Sequence, residues 1–553
     1  MGWRERWVRH GGRRRIRRVA RDVFGYRDLR PGQAEAMAEV LLGRNALVVM
    51  PTGGGKSAVY QIPAQLLPGP TIVVSPLIAL QRDQMLSING RGGRAVVVNS
   101  ARSDGDAALE RIRAGHADYV FLAPEQLAKP DVVERLAAAG PALIAIDEAH
   151  CVSSWGHDFR PDYLRLGSVI DRLGRPPVLA LTATASPLVR ADIVEVLGLA
   201  GARQIIRGFD RPNLFLEVRQ EVEEAAKRRA VLDEVAGRDG LGLVYTATRK
   251  DAEAYAEELA GTGRRVAAYH AGLKASLREE VHRRFLADEL DVVVATSAFG
   301  MGIDKPDVRY VLHTAPPESP DAYYQEIGRA GRDGKPADAI LFYRMEDLGL
   351  RRFFVAGRPD EARLLQLATL LREHGGAVAA ARVRADLDLS HSKLTGLVNL
   401  LERAEAIEVT PGGELRYLRG GPAPQDAVVE ALALDRSRRR MDDSRIDMMR
   451  SYAETSGCRR RFLLEYFGEP HPGACGTCDT CREAPAAPVP APSAERGPFP
   501  LHSEVVHGLW GAGTVMSTEQ DRITVLFPEA GYKALSLEAV QRDGLLTLAG
   551  PGA

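Results

Sequence analysis

Eleven short apolar runs, separated by stretches of helical spacing, limit what this chain can fold into more than any other feature. Six come early: ALVVM (46–50), TIVVS (71–75), AVVVN (95–99), YVFLA (119–123), LIAID (143–147) and VLALTA (178–183). Five follow: GLVYTAT (242–248), VAAYHAG (266–272), VVVAT (292–296), YVLHT (310–314) and AILFY (339–343). Strands that are apolar almost throughout must be covered on both faces, which is the condition of a parallel sheet between helices. The pattern restarts after Gly208-Phe209-Asp210-Arg211-Pro212-Asn213, so two tandem α/β domains are expected, at 22–207 and 208–345.

Beyond residue 345 the period turns helical. Stretches 361–374, 379–386 and 390–405 predict three helices, with Ser390 a candidate N-cap of the third. EVTPGGELRYL (408–418) then predicts a hairpin, and together they describe a winged-helix-like segment, 346–421. The same residues also fit a helical spacer. Helix continues to about 467 and runs into a cysteine cluster, giving a helical metal-binding region, 422–483. An Ala-Pro linker, 484–499, precedes a stretch of alternating strands with glycine turns, 500–553, expected to form a small β-barrel.

At 553 residues the chain is too long for one core. Its 73 basic and 73 acidic residues cancel, so any nucleic-acid binding must come from local patches. One such patch is the first 30 residues, with eleven Arg against Glu5, Asp22 and Asp28; residues 1–21 read as a basic arm or a loosely ordered lead-in helix. No apolar run reaches the length of a membrane span, and no membrane partner is expected.

Met50-Pro51-Thr52-Gly53-Gly54-Gly55-Lys56-Ser57 falls between the first strand and the next helix. Glycines there let backbone N–H groups face phosphate oxygens at a helix N-terminus. Lys56 would reach the β- and γ-phosphates and Ser57 would ligate Mg²⁺, although Met50 stands where the simple phosphate-loop pattern has its first glycine. Asp147 and Glu148 close the strand LIAID at the sheet edge where ligands of open α/β sheets bind. Asp147 would hold Mg²⁺ through water and Glu148 would orient an attacking water. Four of the five cysteines, Cys458, Cys475, Cys478 and Cys481, have the number and spacing of a closed, structural Zn²⁺ site. Cys151 reads as a small packing residue.

FGYRDLRPGQ (24–33), MPTGGGKS (50–57), SPLIALQRDQ (75–84), DEAH (147–150), LTATA (181–185), YHAGL (269–273), VATSAFGMGIDKPDVRYVLH (294–313) and YYQEIGRAGRDG (323–334) resemble, in order, the motifs of RecQ-family DNA helicases. The resemblance implies two RecA-like domains with ATP in the cleft between them. It implies that Tyr26 stacks on adenine while Arg30 and Gln33 contact the nucleotide. It implies that Arg332 is an arginine finger, Arg329 a γ-phosphate partner, and that Gln325 lies near the cleft. Residues 153–163 resemble the aromatic-rich loop of that family, with Trp155 and Phe159 assigned to DNA contact or loop switching and His157 and Arg160 to coupling. In the family the zinc region directly follows the second motor domain; here the winged-helix-like segment precedes it.

The tail, through Val505-Val506-His507, Trp510 to Val515 and Phe527, resembles the Tudor-like barrel that ends UvrD- and PcrA-type helicases, which implies contact with RNA polymerase. The whole reading is an ATP- and Mg²⁺-dependent DNA helicase moving 3′ to 5′ on single-stranded and partly duplex DNA. Its expected place is repair or recombination in the cytoplasm, at the nucleoid of a bacterium. An RNA helicase and an inactive DNA-binding adaptor are the alternatives.

Overall fold

The structure, a computed structural model, describes residues 11–549 except 77, 99–101, 154–157, 301–304, 356, 411–412, 472, 484–497 and 519–520. Seven parallel strands form the first sheet: β1 (Ala46–Val49), β2 (Thr71–Val74), β3 (Ala95–Val98), β4 (Tyr119–Leu122), β5 (Leu143–Ile146), β6 (Val178–Thr182) and β7 (Arg203–Ile206). Their order is β3-β4-β2-β5-β6-β1-β7, with β1, β2, β4 and β5 buried at every position. This order sets the ends of β5, β6 and β1 side by side. DEAH, LTATA and the glycine loop follow those three strands, so the topology alone gathers them on one sheet edge.

The second sheet holds β8 (Leu214–Gln220), β9 (Leu241–Tyr245), β10 (Val266–Tyr269), β11 (Val292–Ala295), β12 (Val308–His313) and β13 (Ala337–Tyr343), all parallel, in the order β10-β11-β9-β12-β13-β8. The eleven expected strands are all present. Two edge strands, β7 and β8, are additional.

Residues 12–22 are not a free arm. They form the helix Gly12–Asp22, whose Ile16 and Ala20 join Phe24, Met37 and Val59 in the first lobe's core while its arginines face out. Helices Glu361–His374, Ala380–Asp386 and His391–Arg403 pack with a small antiparallel sheet of β14 (Val378–Ala379), β15 (Ile407–Val409) and β16 (Glu414–Tyr417). Ser390 caps the third helix, its Oγ accepting from Lys393 N. A long helix, Pro424–Glu454, leads to Arg459–Tyr466 and the cysteines.

The tail is a five-stranded antiparallel sheet, β17 (Glu504–His507) to β21 (Leu546–Leu548), around Phe499, Val505, Val515, Val525 and Phe527. Phe499 therefore belongs to the barrel rather than to a linker. The barrel is also docked. Tyr532 stacks on Tyr466 at 5.0 Å, and its N–H donates to Ser444 Oγ at 3.0 Å. Met516, Leu526 and Tyr532 share one apolar cluster with Val189 of the first lobe and Tyr324 of the second. Among the described residues no helix is long and apolar enough to cross a membrane.

Candidate active site

The glycine loop is a left-handed turn that ordinary residues resist. Gly53 and Gly55 have φ of 77° and 79°. A Cβ on Gly54 would meet Pro51 O at 2.7 Å, and one on Gly55 would meet Gln33 Nε2 at 2.5 Å. Gln33, buried, closes the loop by donating to Gly55 O at 2.9 Å, while its Oε1 accepts from Arg30 N at 2.8 Å. The Arg30 guanidinium donates to Gly53 O. Tyr26, 37% exposed, lies parallel to Phe24 with ring centroids 6.0 Å apart, so one of its faces is supported from below.

Lys56 and Ser57 begin the helix Lys56–Ala64 that continues from this loop. Gln84, which the sequence reading did not assign, donates to Ser57 Oγ at 3.3 Å and accepts from the Tyr60 hydroxyl. Asp147 is nearly buried and holds its proton up to about pH 7, because burial and the adjacent Glu148 disfavour its charge while Lys56 favours it. A desolvated carboxylate this close to an ammonium and a serine is a fit for a hard cation with oxygen ligands.

A run of polar contacts leads from Glu148 towards the second lobe. Glu148 Oε2 lies 3.4 Å from His150 Nδ1, which also approaches Thr182 Oγ1 at 3.0 Å. The Thr182 hydroxyl donates to Thr184 O at 2.9 Å. Gln325 Nε2, from the second lobe, donates to Thr184 Oγ1 at 3.1 Å. The two threonines belong to LTATA, whose part here was not foreseen.

The second lobe closes the other side. A Cβ on Gly53 would meet Arg332 Cγ at 3.2 Å, and one on Gly328 would meet Thr52 Cβ at 3.2 Å. Arg329 is 5% exposed, and its Nε finds no acceptor among the described residues. Its guanidinium lies against Gly300 and Tyr245 of the second lobe, and a buried guanidinium with an unsatisfied donor is suited to an anion. Arg211, in the segment between the two sheets, donates to Thr52 O at 3.3 Å and to Gly328 O, Ala330 O and Gly331 O at 3.2, 2.8 and 3.1 Å. It is a cross-lobe fastener that the sequence reading passed over as a domain break.

Trp155 and His157 lie outside the described residues. Phe159 is half-buried against the guanidinium groups of Arg403 and Arg438, each 5.5 Å from its ring centroid. Arg160 pairs with Asp158 at 3.2 Å and donates to Pro76 O at 3.4 Å, so the loop is tied to the segment after β2. Cys151 is fully buried, with its thiol 3.7 Å from Asp158 Oδ2.

The ligand atoms of Cys458, Cys475, Cys478 and Cys481 all lie within 4.8 Å of one another, and Cys475 Sγ is 4.0 Å from Cys481 Sγ. Four thiolates at about 2.3 Å from one zinc would stand about 3.8 Å apart, so the donor set fits a tetrahedral ion. Hydrogen bonds from Cys458 and Cys475 push the Cys478 thiol down, towards the thiolate form. The cluster is sewn to β8. Leu216 N donates to Thr477 O at 3.2 Å, and Asp479 accepts from Val218 N at 2.9 Å and from Arg459 Nε at 2.6 Å.

Three family models match this chain: DEAD/DEAH box helicase over 30–191, helicase conserved C-terminal domain over 226–334, and RecQ zinc-binding over 424–482. The protein of Bacillus subtilis (strain 168) named "Probable ATP-dependent DNA helicase RecS" is 41% identical over 345 residues, 61% of this chain and 68% of that protein. The chain belongs to the RecQ family. ATP-dependent DNA helicase RecQ of the same organism is 36% identical over 469 residues, 84% of this chain and 66% of its own length. RecQ of Haemophilus influenzae is 35% identical over 471 residues, covering 84% of this chain and 63% of that protein. The match thus spans slightly less than two thirds of those two RecQ proteins. Among solved structures, DUF1998 helicase MrfA bound to DNA and AMPPNP superposes with a TM-score of 0.51 at 17% identity, over 74% of this chain and 62% of that one, a likeness of fold.

Proposed function

We propose that this RecQ-family chain is an ATP-dependent DNA helicase that moves 3′ to 5′ along one strand and serves repair or recombination. The observation that carries the reading is that Arg332 and Gln325 of one lobe reach the glycine loop and Thr184 of the other. In this reading the N–H groups of Thr52 to Ser57 and the Lys56 ammonium cradle the phosphates, Tyr26 carries the adenine ring, and Arg30 and Gln33 hold the loop and the base edge. Magnesium, when bound through Ser57 and Asp147, supplies charge neutralisation at the β- and γ-phosphates. Glu148 orients water, Arg329 meets the γ-phosphate, and Arg332 stabilises the charge that develops on transfer. An arginine supplied from the second lobe is worth about 10³–10⁵ in rate and makes turnover conditional on cleft closure. Zinc, held by the four cysteines, would be structural.

The aromatic-rich loop, with Trp155, His157, Phe159 and Arg160, would report the unpaired strand to Glu148 and His150. Stacking of the Trp155 ring on a base would contribute about 1–3 kcal/mol and tolerate any sequence. The barrel, 500–553, is the proposed contact for RNA polymerase, and the cytoplasmic nucleoid is the proposed place of work. The test is phosphate release with and without single-stranded DNA, followed by unwinding of 3′-tailed, 5′-tailed and matched RNA duplexes. Release stimulated by DNA and unwinding of the 3′-tailed DNA alone support the reading. Preference for the RNA duplex, or binding without turnover, would replace it with one of the two alternatives.

A further inference from the structure

Phe159 does not sit in its own lobe's core. It reaches into a cleft of about 630 Å³ between the first lobe and the winged-helix segment. Arg358, Arg363, Lys393, Arg403 and Arg438 line that cleft, against Asp360, Asp388 and Asp435. Two of the three acids are engaged already: Asp360 caps a helix through Arg363 N, and Asp435 accepts from Arg439. The surplus charge is therefore positive. Arg403 and Arg438 come from different helices, each guanidinium 5.5 Å from the ring centroid of Phe159, and Arg438 also lies 3.7 Å from Asp442. Burial and then the neighbouring Arg438 disfavour the Arg403 charge, and Asp435 offsets them only in part. Beside the cleft Arg165 of the first lobe pairs with Glu402 at 2.5 and 2.8 Å, which fixes the distance between the walls.

The wall that carries Ser392, Lys393, Asn399 and Arg403 is one face of the helix His391–Arg403, the third of the winged helix. A helix that reads a duplex must protrude into a groove. Here that face lines a recess, which admits one strand. Guanidinium pairs bind phosphate through charge-assisted, often bidentate hydrogen bonds, a stronger contact than the face of a phenyl ring.

We propose that this cleft binds the phosphate backbone of single-stranded DNA, and that Phe159 occupies it as a built-in competitor until the strand arrives. The proposal rests on the reading of the chain as a DNA motor and adds a site to it. Strand entry would release Phe159 from the two arginines, so that the loop beside DEAH changes its support when DNA is present.

The experiment uses the full chain, a fluorescein-labelled oligothymidylate and a blunt duplex, with anisotropy titrations over a KCl series and no nucleotide. The double variant Arg403→Gln/Arg438→Gln should bind the single strand about tenfold more weakly, with a salt slope shallower by about 1.4, while blunt-duplex binding changes little. Phe159→Leu should bind the single strand about two- to fivefold more tightly, because the arginines lose their resident ring. An unchanged salt slope in the double variant, an equal loss of duplex binding, or weaker strand binding by Phe159→Leu would each overturn the proposal. Zinc content and melting temperature equal to the parent's establish that the variants are folded. Phosphate release by the unaltered chain is measured separately, so failure of the motor reading is distinguishable from failure of the cleft.

Discussion

Lys56 lies near enough to Asp147 for its ammonium to favour the carboxylate's charge, and each residue makes a different prediction. Under the proposed function Lys56→Ala removes the cation that would meet the phosphates and leaves the proposed DNA contacts in place. Turnover should fall by about 10²–10³-fold or more while oligonucleotide affinity stays within about twofold, measured by phosphate release and anisotropy. Asp147 makes a stability prediction. Folded, it keeps its proton up to about pH 7, against 3.8 for the ordinary carboxyl, because it is buried beside Glu148. Between those values the folded state binds the extra proton, so stability falls as pH rises through the window and levels off above about 7. Asp147→Asn abolishes that cost together with activity. Without nucleotide and magnesium, its melting temperature should exceed the parent's, by a gap that widens from pH 5.5 to pH 8. A gap that does not change with pH would contradict the burial argument.

At the scale of elements, what could be read in advance followed the continuity of apolar residues, even at the half-buried edge strand β10 (VAAY). Strands such as β1 and β5, apolar at every position, stood out in the sequence. β7 (RQII) and β8 (LFLEVRQ) did not, because an edge strand with exposed or alternating positions lacks the continuous apolar signal. The cysteines were legible from their spacing, but their seat was not. Leu216 of β8 bridges to Cys478, a pairing between segments far apart in the chain that no local pattern encodes. The same holds for Phe159: its ring was legible, whereas the arginines around it lie in helices that only tertiary packing brings near. The seat of the metal has a measurable consequence. Cys478→Ser should lose the zinc equivalent by elemental analysis and speed amide exchange in 214–220 by about tenfold or more, leaving β1 to β6 protected as before. Equal protection of β8 with and without metal would mean the zinc holds only its own loop.

For the whole molecule, the lobes are joined by more than the nucleotide cleft. Arg211 fastens Thr52 to Gly328 and the carbonyls beyond it, and Tyr324 donates its hydroxyl to Phe209 O. Over this junction sits the barrel, through Tyr532, Tyr466 and Ser444. Tyr466 also donates to Asp321, so the barrel's contact reaches the helix that carries Gln325. Tyr532→Ala should lower the melting temperature of the intact chain by about 5–10 °C, as expected for emptying a well-packed aromatic site. Unfolding confined to residues 500–549, with the lobes unaffected, would show the tail to be an independent passenger. The seating of Tyr532 also decides how a partner of the tail can be sought. Cutting the chain at residue 500 would bare greasy surface on the motor, and a bait made that way would collect stray proteins or clump. The sounder bait keeps the tail and alters its water-facing rim, where Leu509 stands 79% exposed beside Trp510.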